Sequence, residues 1–208
     1  MKGSFIVISF FAAGCLLGWV FKSLQITISD DVTRYVLYLL MLQVGLSVGS
    51  DKNIVQILKS IRPKLLLVPF ATIIGTLTFS AIAALFISKW NIFECLAVAS
   101  GFAYYSLSSI LITEFKTASL GVQLATELGT VALMANIMRE IMALLGAPLF
   151  AKRFGRLAPI CAGGATTMDT TLPVITKYSG KDMVFIAILH GIIVDLSVPF
   201  LVSFFCSL

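Results

Sequence analysis

The sequence predicts an integral membrane protein made of α-helices, with about seven segments crossing the bilayer and two of these discontinuous. The chain of 208 residues is 59% hydrophobic and only 12% charged, and its mean hydropathy is +1.02. A water-soluble domain cannot bury this much apolar surface, because over half of a folded protein's accessible surface stays exposed. Lipid offers no partners for backbone groups, and the apolar runs are too long and uniform for barrel strands.

Apolar runs separated by charged or turn-rich gaps predict the individual segments. Each run can cross, or nearly cross, a hydrocarbon core of roughly 30 Å at about 1.5 Å per residue. We treat residues 1–208 as a single membrane domain, in which residues 1–90 form scaffold-like helices and residues 91–208 form the functional helices. The predicted segments lie near residues 4–22, 34–50, 64–88, 93–112, 124–150, 157–178 and 183–206.

The ends of the segments bear on processing and orientation. The start resembles a lipoprotein signal up to Cys15, but the apolar run continues to Phe21, which favours an uncleaved first helix. With a cytoplasmic N-terminus, eight Lys and Arg residues face the cytoplasm and six face the other side, a weak preference for that orientation. The basic cluster at residues 152–156 favours the cytoplasm, so segment 157–178 is either spanning or re-entrant.

Two of the predicted segments carry polar side chains at membrane depth. In segment 93–112 these include Ser100, Tyr104, Tyr105, Ser106 and Ser108. Their serines are equally compatible with close helix packing and with the lining of a transport path. In segment 157–178, Gly163-Gly164 and Pro173 bracket a group of polar residues: Thr166, Thr167, Asp169, Thr170 and Thr171. Such a composition predicts a broken helix, which survives in a membrane only against protein or a water-filled cavity and is common in secondary transporters.

Glu140 lies inside the apolar run 131–150, where an ionised group costs about 2.5–3.5 kcal/mol. Asn136 precedes it by four residues and shares its helix face, whereas Arg139 points about 100° away. One interpretation makes Glu140 a cation or proton site supported by Asn136. The alternative is a structural ion-pair arrangement in which Arg139 is bonded to Asp169 or Asp195.

The other candidate residues lie in the last two segments. Asp169 is either a binding carboxylate at the helix break or the cap of a half-helix. His190 is more typical of an interhelical hydrogen bond than of a proton relay, and Asp195 follows it on the same segment. An aspartyl protease using Asp169 and Asp195 is disfavoured, because the Gly-x-Gly-Asp pattern is absent. We therefore expect no enzyme activity.

Charge and cysteine patterns argue against other classes of function. The net charge of +5 comes from Lys and Arg between apolar runs, without the basic-aromatic pattern of nucleic-acid binding. Cysteines 15, 95, 161 and 206 form no Cys-x-x-Cys pair, so we expect packing roles and neither a metal nor a cofactor.

Four blocks of sequence resemble those of the bacterial lysine exporter (LysO-type) family. They are the stretch 99–114, the Arg139-Glu140-Ile141 triplet, the stretch 161–173, and His190-Gly191 with Pro199. The blocks come in the family's order and cover residues 95–206. Longer members of the family carry roughly a hundred further N-terminal residues, so the chain resembles the C-terminal portion of those members.

The resemblance implies export of L-lysine and lysine analogues across the bacterial cytoplasmic (inner) membrane, coupled to proton entry. It also implies a multi-pass fold related to cation–proton antiporters and bile-acid symporters. By this resemblance, Glu140 and Asp169 match the family's intramembrane acidic positions. A small N-terminal-half membrane partner or a homodimer is expected to complete the site. A sodium/proton antiporter using the same acids, or a non-transporting subunit of a two-chain complex, remain alternatives.

Overall fold

The computed structural model describes residues 63–208 continuously, together with residues 13, 14 and 16–21 and single positions 9, 35, 39 and 42. The predicted segments 4–22 and 34–50 therefore lie largely outside the described residues. Six helices follow one another in the continuous part: α1 (Pro63–Ala84), α2 (Ile92–Ala99), α3 (Tyr105–Phe154), α4 (Ala158–Gly163), α5 (Leu172–Ser179) and α6 (Val184–Cys206). Two 3-10 turns, Gly164–Met168 and Lys181–Met183, join the last three.

The described residues are all helical or irregular, without a strand, as the sequence predicts. Within them, three helical stretches are long and apolar enough to cross a membrane: Leu65–Ala84, Tyr105–Phe154 and Lys181–Cys206. These stretches support the prediction of a helical membrane protein. The total of seven segments and the relation to antiporter folds stay predictions.

Helix α3 is two helices folded back on each other. As one straight rod its 50 residues would measure about 75 Å, but Gly121 interrupts it with φ 78° and ψ 161°, a conformation that favours glycine. Gly129 of the second arm (122–154) packs against the first arm (105–120), because a Cβ there would lie 2.8 Å from the Ser109 carbonyl oxygen. The predicted gap between residues 112 and 124 is thus too wide, since the helix continues to this turn.

The first helix interruption separates α2 from α3. A capping box fixes the start of α2, with the Asn91 side chain bonded to the backbone N–H of Glu94 and the Glu94 carboxylate bonded to that of Asn91. With eight residues, α2 is only about 12 Å long, far short of a bilayer core. Phe102 and Ala103 then adopt φ values of 43° and 75°, which break the helix before Tyr105 resumes it.

The second interruption separates α4 from α5. Helix α4 has six residues, the 3-10 turn five and α5 eight, so neither half-helix spans a bilayer alone. Gly164 has φ 60°, and Asp169 and Thr170 follow the 3-10 turn with exposed side chains. Both interruptions that the sequence predicts, in segments 93–112 and 157–178, are therefore present.

Helix α6 holds the two interrupted segments together. Val194, Val198 and Val202 recur every four residues, so they form one stripe, and each is fully buried. This stripe belongs to a core that includes Phe102 from the first interruption and Ala165 from the second. The core therefore fixes the position of one break relative to the other.

Candidate functional site

The two interruptions touch each other at the centre of the described structure. The backbone N–H of Ala165 donates to the Phe102 carbonyl at 2.9 Å. A Cβ on Gly164 would lie 2.2 Å from the same oxygen, so this approach requires glycine. Side chains from the second arm of α3 surround the contact.

Asn136 holds the first interruption. Its Oδ1 accepts the Ala103 N–H at 2.8 Å, and its Nδ2 donates to the carbonyls of Val98 at 3.2 Å and Ala132 at 2.9 Å. The side chain is buried, and these bonds occupy its acceptor and both donor hydrogens. Although Asn136 shares a helix face with Glu140, its amide is directed to the first interruption.

Arg139 holds the second interruption. Its Nε donates to the Ala162 carbonyl and its Nη2 to the Cys161 carbonyl, both at 3.2 Å, and its Nη1 to the Thr76 hydroxyl at 3.3 Å. The two carbonyls lie in the last turn of α4, where helix ends leave acceptors unpaired and the helix dipole favours a cation. The guanidinium also lies 5.5 Å from the centre of the Phe102 ring. The alternative in which Arg139 is bonded to Asp169 or Asp195 is wrong, because its donors are directed to these carbonyls.

Glu140 and Asp169 belong to one polar cluster. Thr170 lies within hydrogen-bonding reach of both carboxyl groups, and Asp169 acts electrostatically on Glu140. Glu140 is 2% exposed, and its Oε1 has no hydrogen-bond partner among the described residues. Asp169 and Thr170 are exposed, so the cluster opens on their side.

Asp195 adds a third carboxyl group on the other side of Asp169. It is 4% exposed, its Oδ2 also lacks a described partner, and Asp169 is close enough to act on it electrostatically. Two tyrosines complete the cluster: Tyr104 lies in the field of Asp195 and Asp169, and Tyr105 in that of Glu140 and Asp169. Asp169 is thus the centre of the group.

The cluster has no internal counter-ion among the described residues. No described Lys, Arg or His forms an ion pair with any of the three carboxyl groups, while the pairs Lys89–Glu127 and Arg156–Asp182 are exposed. Like charges repel strongly where the effective dielectric constant is low, so three ionised carboxylates require neutralisation. The arrangement can therefore bind a cation, protons or both.

His190 lies apart from the carboxyl groups and links two elements. It is fully buried, with Nε2 2.9 Å from the Thr72 hydroxyl of α1 and Nδ1 3.2 Å from the Thr167 hydroxyl of the 3-10 turn. Both ring nitrogens are therefore engaged. This is the interhelical hydrogen-bonding arrangement that the sequence favours over a proton relay.

The remaining predicted residues have separate places. The Ser100 hydroxyl donates to the Leu96 carbonyl in its own helix at 2.7 Å, and Ser106 is half-buried near the start of α3. The Thr166 hydroxyl donates to the Gly163 carbonyl at 2.8 Å. Thr166 thus stabilises the backbone of the break, whereas Thr170 lies beside the acids.

A cavity of about 250 Å³ lies between α1, α2 and the second arm of α3, and Arg139 and Asn136 contribute to its wall. Its other lining residues include Thr76, Ser80 and Trp90, but none of the three carboxyl groups. Within the described residues, no group of three or more His, Cys, Asp or Glu side chains is arranged to hold a metal ion.

Sequence reasoning did not find the roles of Thr72, Thr76 and Thr167, or the direction of the Asn136 amide. Thr72 and Thr76 lie in the apolar segment interpreted as scaffold, and a lone threonine in such a segment gives no sign of its partner. Their spacing of four residues, which puts both on one face of α1, is the available signal.

Comparison with known proteins identifies the family. The family model described as "Lysine exporter LysO" matches residues 8–206. This chain belongs to the lysine exporter LysO family. The Escherichia coli (strain K12) protein named "Lysine exporter LysO" is 36% identical over 180 residues, which are 86% of this chain and 56% of that relative. The chain thus spans little more than half of the length of the E. coli family member.

A second relative matches over nearly its full length. The Haemophilus influenzae protein named "Putative lysine exporter" is 31% identical over 194 residues, which are 93% of each chain. No solved structure matches the chain. The resemblance to the lysine exporter family noted in the sequence is thereby confirmed.

Proposed function

We propose that this chain is a multi-pass secondary transporter of the bacterial cytoplasmic (inner) membrane that exports L-lysine and lysine analogues by proton antiport. The observation that carries the proposal is the uncompensated acidic cluster at the helix break. Glu140 and Asp169 share Thr170 as a neighbour, and no Lys, Arg or His side chain in the described part of the chain forms an ion pair with either. They are the residues that alternate between substrate and proton.

Lysine suits such a cluster because it presents an α-ammonium and a side-chain ammonium group. Each ammonium donates up to three hydrogen bonds, and charge-assisted bonds to carboxylates are the strongest kind in proteins. The Glu140 Oε1 atom, buried and without a described donor, is an available acceptor. The exposed Asp169 gives the ammonium group its first contact.

Proton exchange follows from the same electrostatics. Without a bound cation, adjacent carboxyl groups in a low-dielectric site cannot all be ionised, so the empty transporter holds protons. An arriving ammonium group replaces that positive charge and releases a proton. The net charge of the cluster is thereby similar in both states, which favours movement between the two sides of the membrane.

The proposal includes a fold related to cation–proton antiporters and bile-acid symporters. Two half-helix pairs that meet at their breaks are the kind of arrangement that such transporters use for their sites. Support comes from the backbone contact of Ala165 with Phe102 between the two breaks. Residues 157–178 then form one spanning, broken segment.

A second polypeptide surface is part of the proposal. Asp169 and Thr170 are exposed in the described structure, and an open carboxylate facing lipid is costly. We propose that a homodimer or a small membrane partner equivalent to the N-terminal half of longer relatives forms the other wall of a water-filled cavity on this side, which separates Asp169 from lipid and leaves it open to substrate. Crosslinking of a cysteine introduced at Thr170, followed by mass analysis, identifies the neighbouring chain.

The function is tested by export of labelled lysine from cells lacking their own lysine exporters. The full chain should restore lysine efflux and resistance to toxic lysine analogues, whereas Glu140→Gln and Asp169→Asn, at equal membrane levels, should not. Ser197→Ala, a change on α6 outside the acidic cluster, is the matched control and should retain export. Wild-type cells without efflux, even when candidate partner chains are supplied, would overturn the proposal.

Two other outcomes have distinct signatures. A sodium/proton antiporter using the same acids would give sodium-driven proton movement that lysine does not inhibit. A non-transporting subunit would lose complex formation on Glu140→Gln and Asp169→Asn, with no flux in any combination of chains. Measuring sodium, proton and lysine movement in the same proteoliposomes separates the three.

A further inference from the structure

Asp195 is a buried acid that the exchange between Glu140 and Asp169 does not use. It is 4% exposed, and its Oδ2 has no hydrogen-bond partner among the described residues. An unsatisfied buried polar atom costs about 1–3 kcal/mol, and more if charged. An apolar residue would avoid this cost on a helix as apolar as α6, so the carboxyl group calls for a functional explanation.

The packing of α6 directs Asp195 towards the second helix break. Gly191 contacts the 3-10 turn, since a Cβ there would lie 2.8 Å from the Met168 backbone nitrogen. Asp195 follows Gly191 by four residues and therefore lies on the same helix face, one turn further along. Asp169, the residue after Met168, acts electrostatically on it.

The groups that face Asp195 offer no described counter-ion. Asp169 and the Tyr104 hydroxyl are the titratable groups that interact with it from the packed elements. Arg139 is bonded to the carbonyls at the end of α4, and His190 on α6 itself has both ring nitrogens engaged. The cluster must therefore neutralise Asp195 with a mobile charge.

The close packing around Asp195 favours a proton over an ammonium group as the charge that neutralises it. Val194 and Val198, on either side of Asp195 along α6, are fully buried, and Asp195 itself is nearly so. An ammonium group needs room for a nitrogen and its substituents, whereas a proton needs none. Asp169, which is exposed, is the member of the pair that a substrate can reach.

We infer that Asp195 is the group that carries the coupling proton of this transporter, while Asp169 and Glu140 receive the substrate ammonium. The inference rests on the proposed lysine–proton exchange and refines one step of it: the proton that the empty cluster holds is carried by Asp195, which leaves Asp169 ionised to receive the ammonium group. When lysine is absent, the negative charge of Asp169 keeps a proton on Asp195. When an ammonium group reaches Asp169, it favours the ionised form of Asp195, and the proton leaves.

The exchange changes no bond except O–H bonds. The Asp195 proton passes to water on the exposed side of Asp169, and a proton returns to the Asp195 carboxylate from the opposite side of the membrane after lysine has left. A neighbouring opposite charge changes proton affinity about 10- to 1,000-fold, so lysine and the proton compete by a similar factor. This competition is the physical basis of antiport.

The test compares two modes of transport in inside-out membrane vesicles carrying the full chain. One mode is accumulation of labelled lysine driven by an acidic lumen, and the other is exchange of labelled for unlabelled lysine at equal pH. Asp195→Asn should lower gradient-driven accumulation at least about ten-fold more than it lowers exchange, and exchange should lose its pH dependence. Asp195→Glu should restore part of the gradient-driven accumulation, and Ser197→Ala should leave both modes unchanged.

Each other result has a defined meaning. Equal losses in both modes, at normal membrane levels, would overturn the inference by showing that Asp195 acts in substrate binding or folding. Retention of both modes would overturn it as well. If Asp195→Asn does not reach the membrane, the pH profile of exchange in Asp195→Glu decides: a shifted profile supports the inference, and an unchanged one contradicts it. Wild-type vesicles without lysine exchange would instead refute the proposed function itself.

Discussion

The two helix interruptions use opposite solutions to the same physical problem. Both expose backbone groups that no longer have helical partners, a costly state away from water. The first, around Phe102 and Ala103, is fully buried and is closed by the neutral Asn136 side chain. The second carries Asp169 and Thr170, which are exposed beside Glu140.

The comparison shows that the side chains that stabilise the broken backbone are different from the acidic side chains beside it. At the second break, side chains satisfy four consecutive carbonyls: Arg139 binds those of Cys161 and Ala162, and threonine hydroxyls bind those of Gly163 and Gly164. This support does not use the carboxyl groups of Glu140 and Asp169, whose described hydrogen-bonding neighbour is Thr170. The buried first break therefore helps to position the exposed, acidic second break. Single substitutions at the two breaks should have different effects on stability and on transport.

The largest expected effect concerns transport at the acidic break. Asp169→Asn and Glu140→Gln should each reduce lysine efflux about 100-fold or more, because losing about 2.7 kcal/mol of favourable interaction has that effect on rate. Thermal unfolding in detergent should change little, since neither carboxyl group bonds to a described cation. Efflux within a few-fold of wild type would remove the distinction between the breaks.

Arg139→Met should destabilise the second break without removing an acid. The change leaves the Cys161 and Ala162 carbonyls without a partner, which costs about 1–3 kcal/mol for each buried group. A clear fall in the unfolding temperature is expected, accompanied by loss of efflux. An unchanged unfolding temperature would show that this guanidinium does not support the end of α4.

Asn136→Ala should destabilise the first break by a somewhat smaller amount, about 2–4 kcal/mol. It removes the acceptor for the Ala103 N–H, and with it a hydrogen bond that offsets the backbone strain of Phe102 and Ala103 at positive φ. Asn136→Asp retains that acceptor but replaces the donor to the Val98 and Ala132 carbonyls with a carboxylate oxygen in a buried site, so it should not recover the wild-type unfolding temperature. Equal stability of all three proteins would contradict the assigned role.

Thr72→Val tests the link between α1 and the second break. It removes one hydrogen bond to His190 while keeping side-chain shape, for an expected loss of about 1 kcal/mol. Efflux should remain at a similar rate at a given pH if His190 is structural. A strong shift in the pH dependence of efflux would instead assign His190 to proton transfer.

The smallest effect is expected away from both breaks. Asp182→Asn removes the exposed ion pair with Arg156 at the end of α5, and solvent screening makes such pairs weak. Stability and efflux should both match those of wild type within error. A marked loss of efflux would show that this surface contact takes part in the transport cycle.

Sequence pattern predicted both breaks because glycine, proline and clustered hydroxyl residues disfavour the interior of an apolar helix. It also predicted the bounds of four of the five described segments within a few residues, since lipid enforces long apolar runs. The segment border near residue 112 was wrong because a single glycine, Gly121, makes the turn, and helical residues continue up to it. The roles of Glu140 and Asp169 stay predictions.

The sequence by itself determined that the chain is a helical membrane protein and that two helices are broken. Composition and local backbone preferences suffice for these properties. Only the tertiary structure decided that Asn136 and Arg139, three residues apart, secure different breaks, and that Asp195 joins Asp169. Hydrogen-bond partners that are distant in sequence depend on how the helices pack. Helix periodicity gives the face on which a side chain lies, but it does not identify the residue that this side chain contacts.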